Sequence, residues 1–271
     1  MRGRVLIVSG SDSGGGAGMQ ADIKTVTALD AYAESALTAL TVQDTLGVHA
    51  VHPVPPAVIA AQMACVLADP GADAVKCGMI GEAEAVAAVV AVLAEKARGL
   101  PLVVDPVMVA KGGAALMAEA ALDPLRERLL PMASVITPNI PEAEALTGLA
   151  IRDEEGMLAA ARALRVRGIA AVLLKGGHLD GPEVVDILVG PQGETFWREP
   201  RIVTRHTHGT GCTTASAIAA GLAQGLSLIE AVDRAIAYVH AAIRTAPGFG
   251  AGHGPLNHAV TVDPARLATL G

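Results

Sequence analysis

A glycine-rich segment followed by a helical pattern carries the strongest chemical signal in this sequence. The segment reads Thr207-His208-Gly209-Thr210-Gly211-Cys212, and apolar residues at helical spacing follow it. The two glycines let the backbone turn sharply, so the free N–H groups of the first helical turn point at one spot. Because the partial positive charge of a helix N-terminus adds to these donors, the segment predicts a site for a phosphate or a transferring phosphoryl group.

Cys212 lies in the first turn of this predicted helix. The field at the helix N-terminus predicts a lowered thiol pKa, which makes Cys212 a candidate base or nucleophile. The alternative is a structural cysteine buried behind a glycine-rich helix start. A second glycine loop, residues 10–18, favours the catalytic interpretation. That loop lacks the Gly-Lys-Ser/Thr ending of a Walker A loop and matches the dinucleotide-binding pattern only loosely.

Composition limits the class of protein. With 271 residues, 52% of them apolar, the chain predicts a single α/β domain over residues 1–271. A net charge of −7 and an aromatic content of 2% argue against nucleic-acid binding. The three cysteines have neither a disulfide nor a zinc spacing, and the apolar runs are too short for a signal peptide or a membrane span. We therefore expect a cytoplasmic protein with neither membrane nor nucleic-acid partners.

Short β-branched runs alternate with longer segments of helical period, which predicts a mostly parallel sheet with helices on both faces. The predicted strands are 4–9, 36–43, 74–76, 102–105, 134–137 and 171–175, then an antiparallel pair at 184–189 and 194–197. The predicted helices are 17–30, 56–68, 82–98, 115–130, 141–147, 154–167, 212–225 and 227–245. Ligand sites in such folds lie at the carboxyl ends of the strands.

Two residues that follow predicted strands are candidates for binding a small molecule. Gln43 offers a donor and an acceptor on one flat group, which suits a heterocycle with a ring nitrogen beside an amino group. It fits a solvated strand end equally well. Met79 follows the third strand, where it could line an apolar pocket or fill the core.

Charged and amide side chains follow the next strands. Asp105, Asn139 and Glu142 come after the fourth and fifth strands and could together hold Mg²⁺ through water. The alternative for Asn139 is an ordinary helix cap. Lys175 ends the sixth strand, from which it would point towards the phosphate site; otherwise it is a solvated lysine.

The chain resembles the ribokinase superfamily, and within it the hydroxymethylpyrimidine and hydroxymethylpyrimidine-phosphate kinases. The resemblance covers essentially the whole length. The segments that carry it are the first glycine loop, Gln20-Ala21-Asp22, Thr41-Val42-Gln43, Asp105-Pro106-Val107-Met108, Thr137-Pro138-Asn139 with Glu142, Lys175-Gly176-Gly177-His178, and Thr207 to Cys212. Two departures, at Ser13-Gly14 and at Gly112-Gly113-Ala114, lie in loops and bear on loop shape more than on activity.

The resemblance implies a three-layer α/β/α fold, a homodimer, and the use of ATP and Mg²⁺ in two successive phosphorylations, of a pyrimidine alcohol and of its monophosphate. The pyrimidine site would consist of Gln43, Gly10, Asp22, Val42 and Met79. The ATP and Mg²⁺ residues would be Asp105, Asn139, Glu142, Lys175 and Thr210. The catalytic residues would be Gly209, Gly211, Cys212 and Lys175, with Cys212 as the base.

Two other functions remain open at this stage. A pyridoxal kinase is the nearest, because some enzymes similar to this family phosphorylate that ring. A non-catalytic sensor of pyrimidines would keep Gln43 and the pocket but would not need Cys212, Lys175 and Glu142 together. If Cys212 is a base, its replacement by serine should impair phosphorylation of the alcohol far more than that of the monophosphate, which is already ionised.

Overall fold

A nine-stranded sheet runs through the molecule in a computed structural model that describes residues 1–110, 113–263 and 265. Lys111 and Gly112, part of one of the loops noted above, lie outside the described residues. The strands are β1 (Arg4–Asp12), β2 (Tyr32–Gln43), β3 (Val48–Pro53), β4 (Ala74–Cys77), β5 (Leu102–Val104), β6 (Val135–Ile136), β7 (Val172–Leu174), β8 (Glu183–Gly190) and β9 (Gly193–Pro200).

The strand order is β3-β2-β1-β4-β5-β6-β7-β8-β9. All pairs from β2 to β7 are parallel, whereas β3, β8 and β9 join the two edges in antiparallel fashion. The predicted mostly parallel sheet and the predicted hairpin of β8 and β9 are therefore confirmed. Strand β3 was not predicted.

The helices are α1 (Gly18–Ala28), α2 (Pro56–Ala68), α3 (Ala83–Lys96), α4 (Leu122–Pro124), α5 (Ile140–Thr147), α6 (Glu154–Val166), α7 (Thr210–Ala223) and α8 (Leu228–Arg244). Seven of the eight predicted helices are confirmed within a few residues. The predicted helix 115–130 is wrong as a single element, because short 3₁₀, α and π turns succeed one another there. Pro124 and Pro131 lie in this stretch, and proline cannot donate the backbone hydrogen bond of a regular helix.

Two buried clusters lie on opposite faces of the sheet and confirm the three-layer α/β/α arrangement. Helices α2, α3, α5 and α6 cover one face, with side chains such as Ile59, Val86, Leu146 and Leu164 in the core. Helices α1, α7 and α8 cover the other face, with Val26, Ile218 and Val232 in the core. Six of the nine buried residues of α7 are alanine, serine or glycine, which allows close packing against the sheet.

The parallel strands from β2 to β7 end at one edge of the sheet, and α7 begins at the same edge. This edge therefore collects the polar residues that follow the strands, as the sequence predicts. Within the described part of the chain, no helix combines the length and the apolar character that crossing a membrane requires.

Candidate active site

Two cavities meet at the carboxyl edge of the sheet. The first has a volume of about 140 Å³ and extends from Gln43 and Met79 to the N-terminus of α7. The second, about 370 Å³, lies between α8 and the hairpin of β8 and β9. The residues that line both are Lys175, Thr207, Thr210 and Gly211. A molecule in one cavity can therefore reach a molecule in the other at the start of α7.

The two glycine loops found in the sequence contact each other. Gly209 has a φ of +86°, and a Cβ at this position would lie 1.9 Å from the carbonyl oxygen of Gly16. A Cβ at Gly16 would in turn lie 2.7 Å from Cδ2 of His208. Only glycine permits this approach. Helix α7 then begins at Thr210 with its first-turn N–H groups at the cavity wall, which is the geometry of an anion site.

Cys212 lines the first cavity in this first turn, as predicted, but its predicted pKa shift is wrong. Burial raises the pKa of the Cys212 thiol to about 12, and the carboxylates of Asp22 and Asp105 act in the same direction. The ammonium of Lys76 and the N–H of Gly18 lower the pKa by less. Burial is the largest effect on this pKa, so the thiol is protonated at neutral pH.

Lys76 is a buried cation that the sequence interpretation treated only as part of a strand. Its side chain is 0% exposed, and Nζ lies 2.7 Å from Oδ2 of Asp22. Asp22 also accepts a hydrogen bond from Ser216 Oγ at 2.7 Å. Burial alone would lower the pKa of Lys76, but the carboxylates of Asp22 and Asp105 raise it. The ammonium is thus fixed directly under the start of α7.

Asp22 and Val42, two of the five residues predicted to bind the pyrimidine, do not line the first cavity. Asp22 is fully buried against Lys76, and Val42 points outwards with half of its surface exposed. Gln43, Gly10 and Met79 do line it. Gly10 lies against Met79, since a Cβ there would be 3.0 Å from the Met79 sulfur.

Lys175 and Asp105 form an ion pair at the junction of the two cavities. Lys175 Nζ lies 2.9 Å from Asp105 Oδ1, which also accepts from Thr137 Oγ1 at 2.9 Å. Burial would lower the pKa of Lys175, but the carboxylates of Asp105 and Glu142 raise it, so the ammonium stays charged. A Cβ at Gly211 would lie 3.0 Å from Lys175 Nζ. The cation therefore faces the anion site, as the sequence predicts.

Asn139 and Glu142 form a capping box at the start of α5. Asn139 Oδ1 accepts from the Glu142 N–H at 3.0 Å, and Glu142 Oε2 accepts from the Asn139 N–H at 2.8 Å. Asn139 therefore caps α5, and because it also lines the second cavity, its role towards ATP and Mg²⁺ stays a prediction. Glu142 also lines the first cavity, and burial raises its pKa to about 7, with Asp105 acting in the same direction and Lys175 against it.

Asp105 and Glu142 fit the chemistry of a Mg²⁺ site that is shared with phosphates. Mg²⁺ commonly takes one or two carboxylates and completes its shell with phosphate and water oxygens. A cation between these two side chains would offset the cost of desolvating the Glu142 carboxylate, which is the main cause of its raised pKa. Among the described residues, no three His, Cys, Asp or Glu side chains converge into a metal cage of their own.

The role of Glu142 can be tested through pH. Because the pKa of Glu142 is raised from 4.5 to about 7, the folded protein binds the proton more tightly, and its stability should fall as pH rises through this window. If the carboxylate holds Mg²⁺, the Mg²⁺ concentration for half-maximal rate should rise as pH falls through about 7. In Glu142→Gln that concentration should be high and independent of pH, and excess Mg²⁺ should partly restore the rate. A Mg²⁺ dependence like that of the unsubstituted protein would leave Glu142 with its capping role alone.

Asp12 and His208 form a second polar pair, to which the sequence interpretation assigned no role. His208 Nε2 lies 2.9 Å from Asp12 Oδ2 and 3.2 Å from the side-chain amide of Gln43. Burial would raise the pKa of Asp12, but hydrogen bonds from His208 and from backbone N–H groups lower it. Asp12 ends β1. The strand-end rule, that ligand sites lie at the carboxyl ends of the strands, selected Gln43 and Lys175 and also applies to Asp12.

The second cavity combines an apolar wall with a polar end. Its wall comes from α8 and the β8–β9 hairpin, and its polar end reaches Asn139 and Lys175. The apolar side chains of that wall are Val184, Trp197, Pro200, Ile202, Ile236, Val239 and Ile243. The cavity suits a flat ring whose charged tail extends towards Lys175.

Curated relatives match nearly all of this chain. A thiamine biosynthesis bifunctional protein of Geobacter sulfurreducens is 55% identical over 267 residues, which cover 98% of the chain but 54% of that protein. The chain thus spans about half the length of this relative. A hydroxymethylpyrimidine/phosphomethylpyrimidine kinase of Rhizobium meliloti is 50% identical over 258 residues, covering 93% of the chain and 96% of that protein.

Solved structures share the fold. An ADP complex of Bacillus subtilis pyridoxal kinase superposes with a TM-score of 0.88 at 33% identity, covering 98% of this chain and 100% of that chain. A phosphomethylpyrimidine kinase from Clostridium difficile gives a TM-score of 0.78 at 40% identity, covering 88% of this chain and 97% of that chain. The fold is therefore ribokinase-like, as the resemblance implied. The phosphomethylpyrimidine kinase family matches residues 12–257, and the chain belongs to that family of phosphotransferases.

Proposed function

We propose that the protein transfers the γ-phosphoryl group of ATP to 4-amino-5-hydroxymethyl-2-methylpyrimidine and then to the resulting monophosphate, for thiamin biosynthesis. One observation carries the choice of substrate. The first cavity holds a side-chain amide at one end and the start of α7 with Lys175 at the other. Its volume of about 140 Å³ is close to the roughly 150 Å³ that accommodates a benzene ring.

ATP would occupy the second cavity, with its base against the apolar wall and its phosphates towards Lys175 and Thr210. Complexes of a related pyridoxal kinase from Staphylococcus aureus with AMP-PCP and with ADP support nucleotide binding in this fold. Mg²⁺ held by Asp105 and Glu142 would neutralise charge on the phosphates. The N–H groups of Gly209 to Cys212 and the ammonium of Lys175 would stabilise the transferring phosphoryl group.

Pyridoxal phosphorylation is the second candidate, because several solved neighbours are pyridoxal kinases at 33–36% identity. The curated relatives at 44–55% identity are named as pyrimidine kinases or as a thiamine biosynthesis protein, which favours the pyrimidine. A non-catalytic sensor has less support, since Asp105 and Glu142 line the first cavity beside Lys175, which lines both cavities. The homodimer and the cytoplasmic location stay predictions of the sequence.

A coupled assay of ATP consumption tests this proposal. The purified protein should consume ATP with the aminopyrimidine alcohol and with its monophosphate, and kcat/KM for pyridoxal should be lower. A higher kcat/KM for pyridoxal than for either pyrimidine would replace the proposal by the second candidate. If none of the three substrates supports ATP consumption, both candidate functions are contradicted.

The raised pKa of Cys212 changes what we expect from Cys212→Ser. A thiol with a pKa of about 12 is almost wholly protonated at neutral pH and cannot accept the alcohol proton. Serine keeps the backbone N–H groups of the anion site, so the losses in kcat/KM should be modest and equal for the alcohol and the monophosphate. A loss that is about 10²–10⁴-fold larger for the alcohol would restore the base assigned from the sequence. Steady-state kinetics on both substrates provides the measurement.

A further inference from the structure

The carboxylate of Asp12 is held in one orientation by the first glycine loop. It accepts backbone N–H groups from Gly14 at 2.8 Å, Gly16 at 3.0 Å and Ala17 at 2.8 Å. Three such donors favour an ionised carboxylate, which can only accept hydrogen bonds. The atom of His208 that lies 2.9 Å from Asp12 must therefore be a donor, and Nε2 must carry a hydrogen. This holds for the neutral ring and for the charged ring alike.

The imidazole of His208 has little freedom to change this arrangement. Its side chain is only 12% exposed, and its Cδ2 packs against Gly16. Its backbone N–H donates to the Gly254 carbonyl at 3.2 Å, which ties the segment to the C-terminal loop. The Nε2–H group is thus fixed in position as well as in protonation.

A fixed donor at His208 determines which atom of the Gln43 amide faces it. With Gln43 Nε2 facing His208 Nε2 at 3.2 Å, two donors would be set against each other. Thr41 Oγ1 is 3.2 Å from Gln43 Oε1 but already donates its one hydrogen to the Ser11 carbonyl at 2.8 Å. After a half-turn of the amide, Nε2 donates to Thr41 Oγ1, and Oε1 rather than an NH₂ group faces the single Nε2–H of His208, which it shares with Asp12.

We propose that the Asp12–His208 pair fixes the Gln43 amide with its oxygen towards the anion-site loop, and that this polarity selects and orients the aminopyrimidine. The inference rests on the proposed function. In this orientation Gln43 keeps one lone pair on Oε1 and one hydrogen on Nε2 for a ligand. The 4-amino group of the ring can donate to Oε1 while the neighbouring ring nitrogen N3 accepts from Nε2.

The polarity also determines where the reacting group lies. His208 directly precedes Gly209, so the Oε1 side of the amide is the side of the anion site. An amino group bound to Oε1 lies on that side, and the hydroxymethyl carbon on the adjacent ring position lies beyond it, towards Gly209 and Cys212. With the amide reversed, the ring would bind with the opposite polarity. Asp12 and His208 are therefore positioning residues for the phosphoryl acceptor.

A substrate analogue with the opposite polarity tests this assignment. The 4-oxo analogue of the alcohol, in its N3–H form, presents an acceptor where the aminopyrimidine presents a donor, and a donor where it presents an acceptor. To bind it, Gln43 must turn its NH₂ group against the His208 N–H. The unsubstituted protein should therefore prefer the amino substrate strongly, by kcat/KM.

The decisive variant is His208→Leu, which removes the fixed donor and lets Gln43 turn freely. We expect kcat/KM for the amino alcohol to fall and that for the 4-oxo analogue to rise, so that their ratio drops by about tenfold or more, the effect of one unpaired hydrogen-bonding group. General damage to the fold cannot raise activity on the analogue. Gln43→Leu should lower the amino activity without raising that on the analogue.

The matched control is His49→Leu. His49 also pairs with an aspartate, Asp44, at 3.0 Å, but on the surface and outside both cavities, so the ratio should not change. An unchanged ratio in His208→Leu would overturn the inference, and so would a fall in both activities without a change in their ratio. If His208→Leu does not fold, ¹⁵N NMR of the unsubstituted protein at alkaline pH decides instead: an Nδ1–H tautomer of His208 overturns it, and an Nε2–H tautomer supports it.

Failure of the proposed function would look different from failure of this inference. A protein that phosphorylates neither pyrimidine contradicts the function and this inference with it. A protein that phosphorylates the amino alcohol but shows no change of ratio in His208→Leu keeps the function and loses only the role of the Asp12–His208 pair.

Discussion

Lys175→Met should lower kcat by about 10²–10³-fold on both the pyrimidine alcohol and its monophosphate, the cost of one electrostatic group aimed at a transition state. Lys175 lies at the junction of the two cavities, with its ammonium against Gly211 and the start of α7. Its charge acts on the phosphoryl group in transit, and that group is the same in both reactions. KM for the alcohol should change little, because Gln43 and Met79 at the far end of the cavity stay in place.

The matched control for this prediction is Lys24→Met. Lys24 is also near the first glycine loop, since Nζ donates to the Gly15 carbonyl at 2.8 Å, but it lines neither cavity. Its replacement should leave kcat nearly unchanged. A Lys175→Met protein with normal kcat and a raised KM for the pyrimidine would show that Lys175 contributes to binding rather than to transfer.

The strand-end rule located Gln43, Asp105 and Lys175 from the sequence alone because parallel strands place their carboxyl ends at one edge. The glycine loops were recognisable for a similarly local reason, since a sharp turn and a close backbone approach need glycine. The same rule could have found Asp12. It could not have paired Asp12 with His208, because 196 residues separate them and only the tertiary fold brings the two loops together.

The error on Cys212 has a different origin. Position in a first helical turn is readable from the sequence, and alone it predicts a lowered thiol pKa. Burial depends on everything packed around the thiol, and here it is the largest effect on the pKa. The sequence did not predict strand β3, because its two histidines are three residues apart, which breaks the two-residue alternation of a strand, and because it ends in proline.

Lys76→Met should lower the free energy of unfolding by about 3–5 kcal/mol, the usual cost of leaving one partner of a buried ion pair alone. Lys76 and Asp22 are both 0% exposed, so water cannot solvate the Asp22 carboxylate when the ammonium is gone. Ser216 would remain as one hydrogen-bond donor to it, which is too little for a buried charge. Asp22→Asn should also be destabilising, because it leaves the buried ammonium of Lys76 without a carboxylate.

The double variant Lys76→Met/Asp22→Asn separates pairing from packing. The double variant buries neither charge. Its loss of unfolding free energy should therefore be smaller than the sum of the losses in the two single variants, and a double-mutant cycle from urea unfolding measures this coupling. If the single and double losses simply add, or if Lys76→Met alone costs less than about 1 kcal/mol, the two side chains do not act as a buried ion pair.

The double variant also reports on the anion site, because Lys76 is the cation that lowers the pKa of Cys212. Its loss should raise the thiol pKa further. The loss of Asp22 acts in the opposite direction but by less, so the double variant should have a slightly higher thiol pKa and slower alkylation of Cys212 by iodoacetamide, which requires the thiolate. The measurement belongs in a Cys65→Ser background, since Cys65 is exposed and would react first. Faster alkylation in a folded double variant would show that Asp22 affects the Cys212 thiol more than Lys76 does, and unchanged alkylation would show that the two charges cancel there.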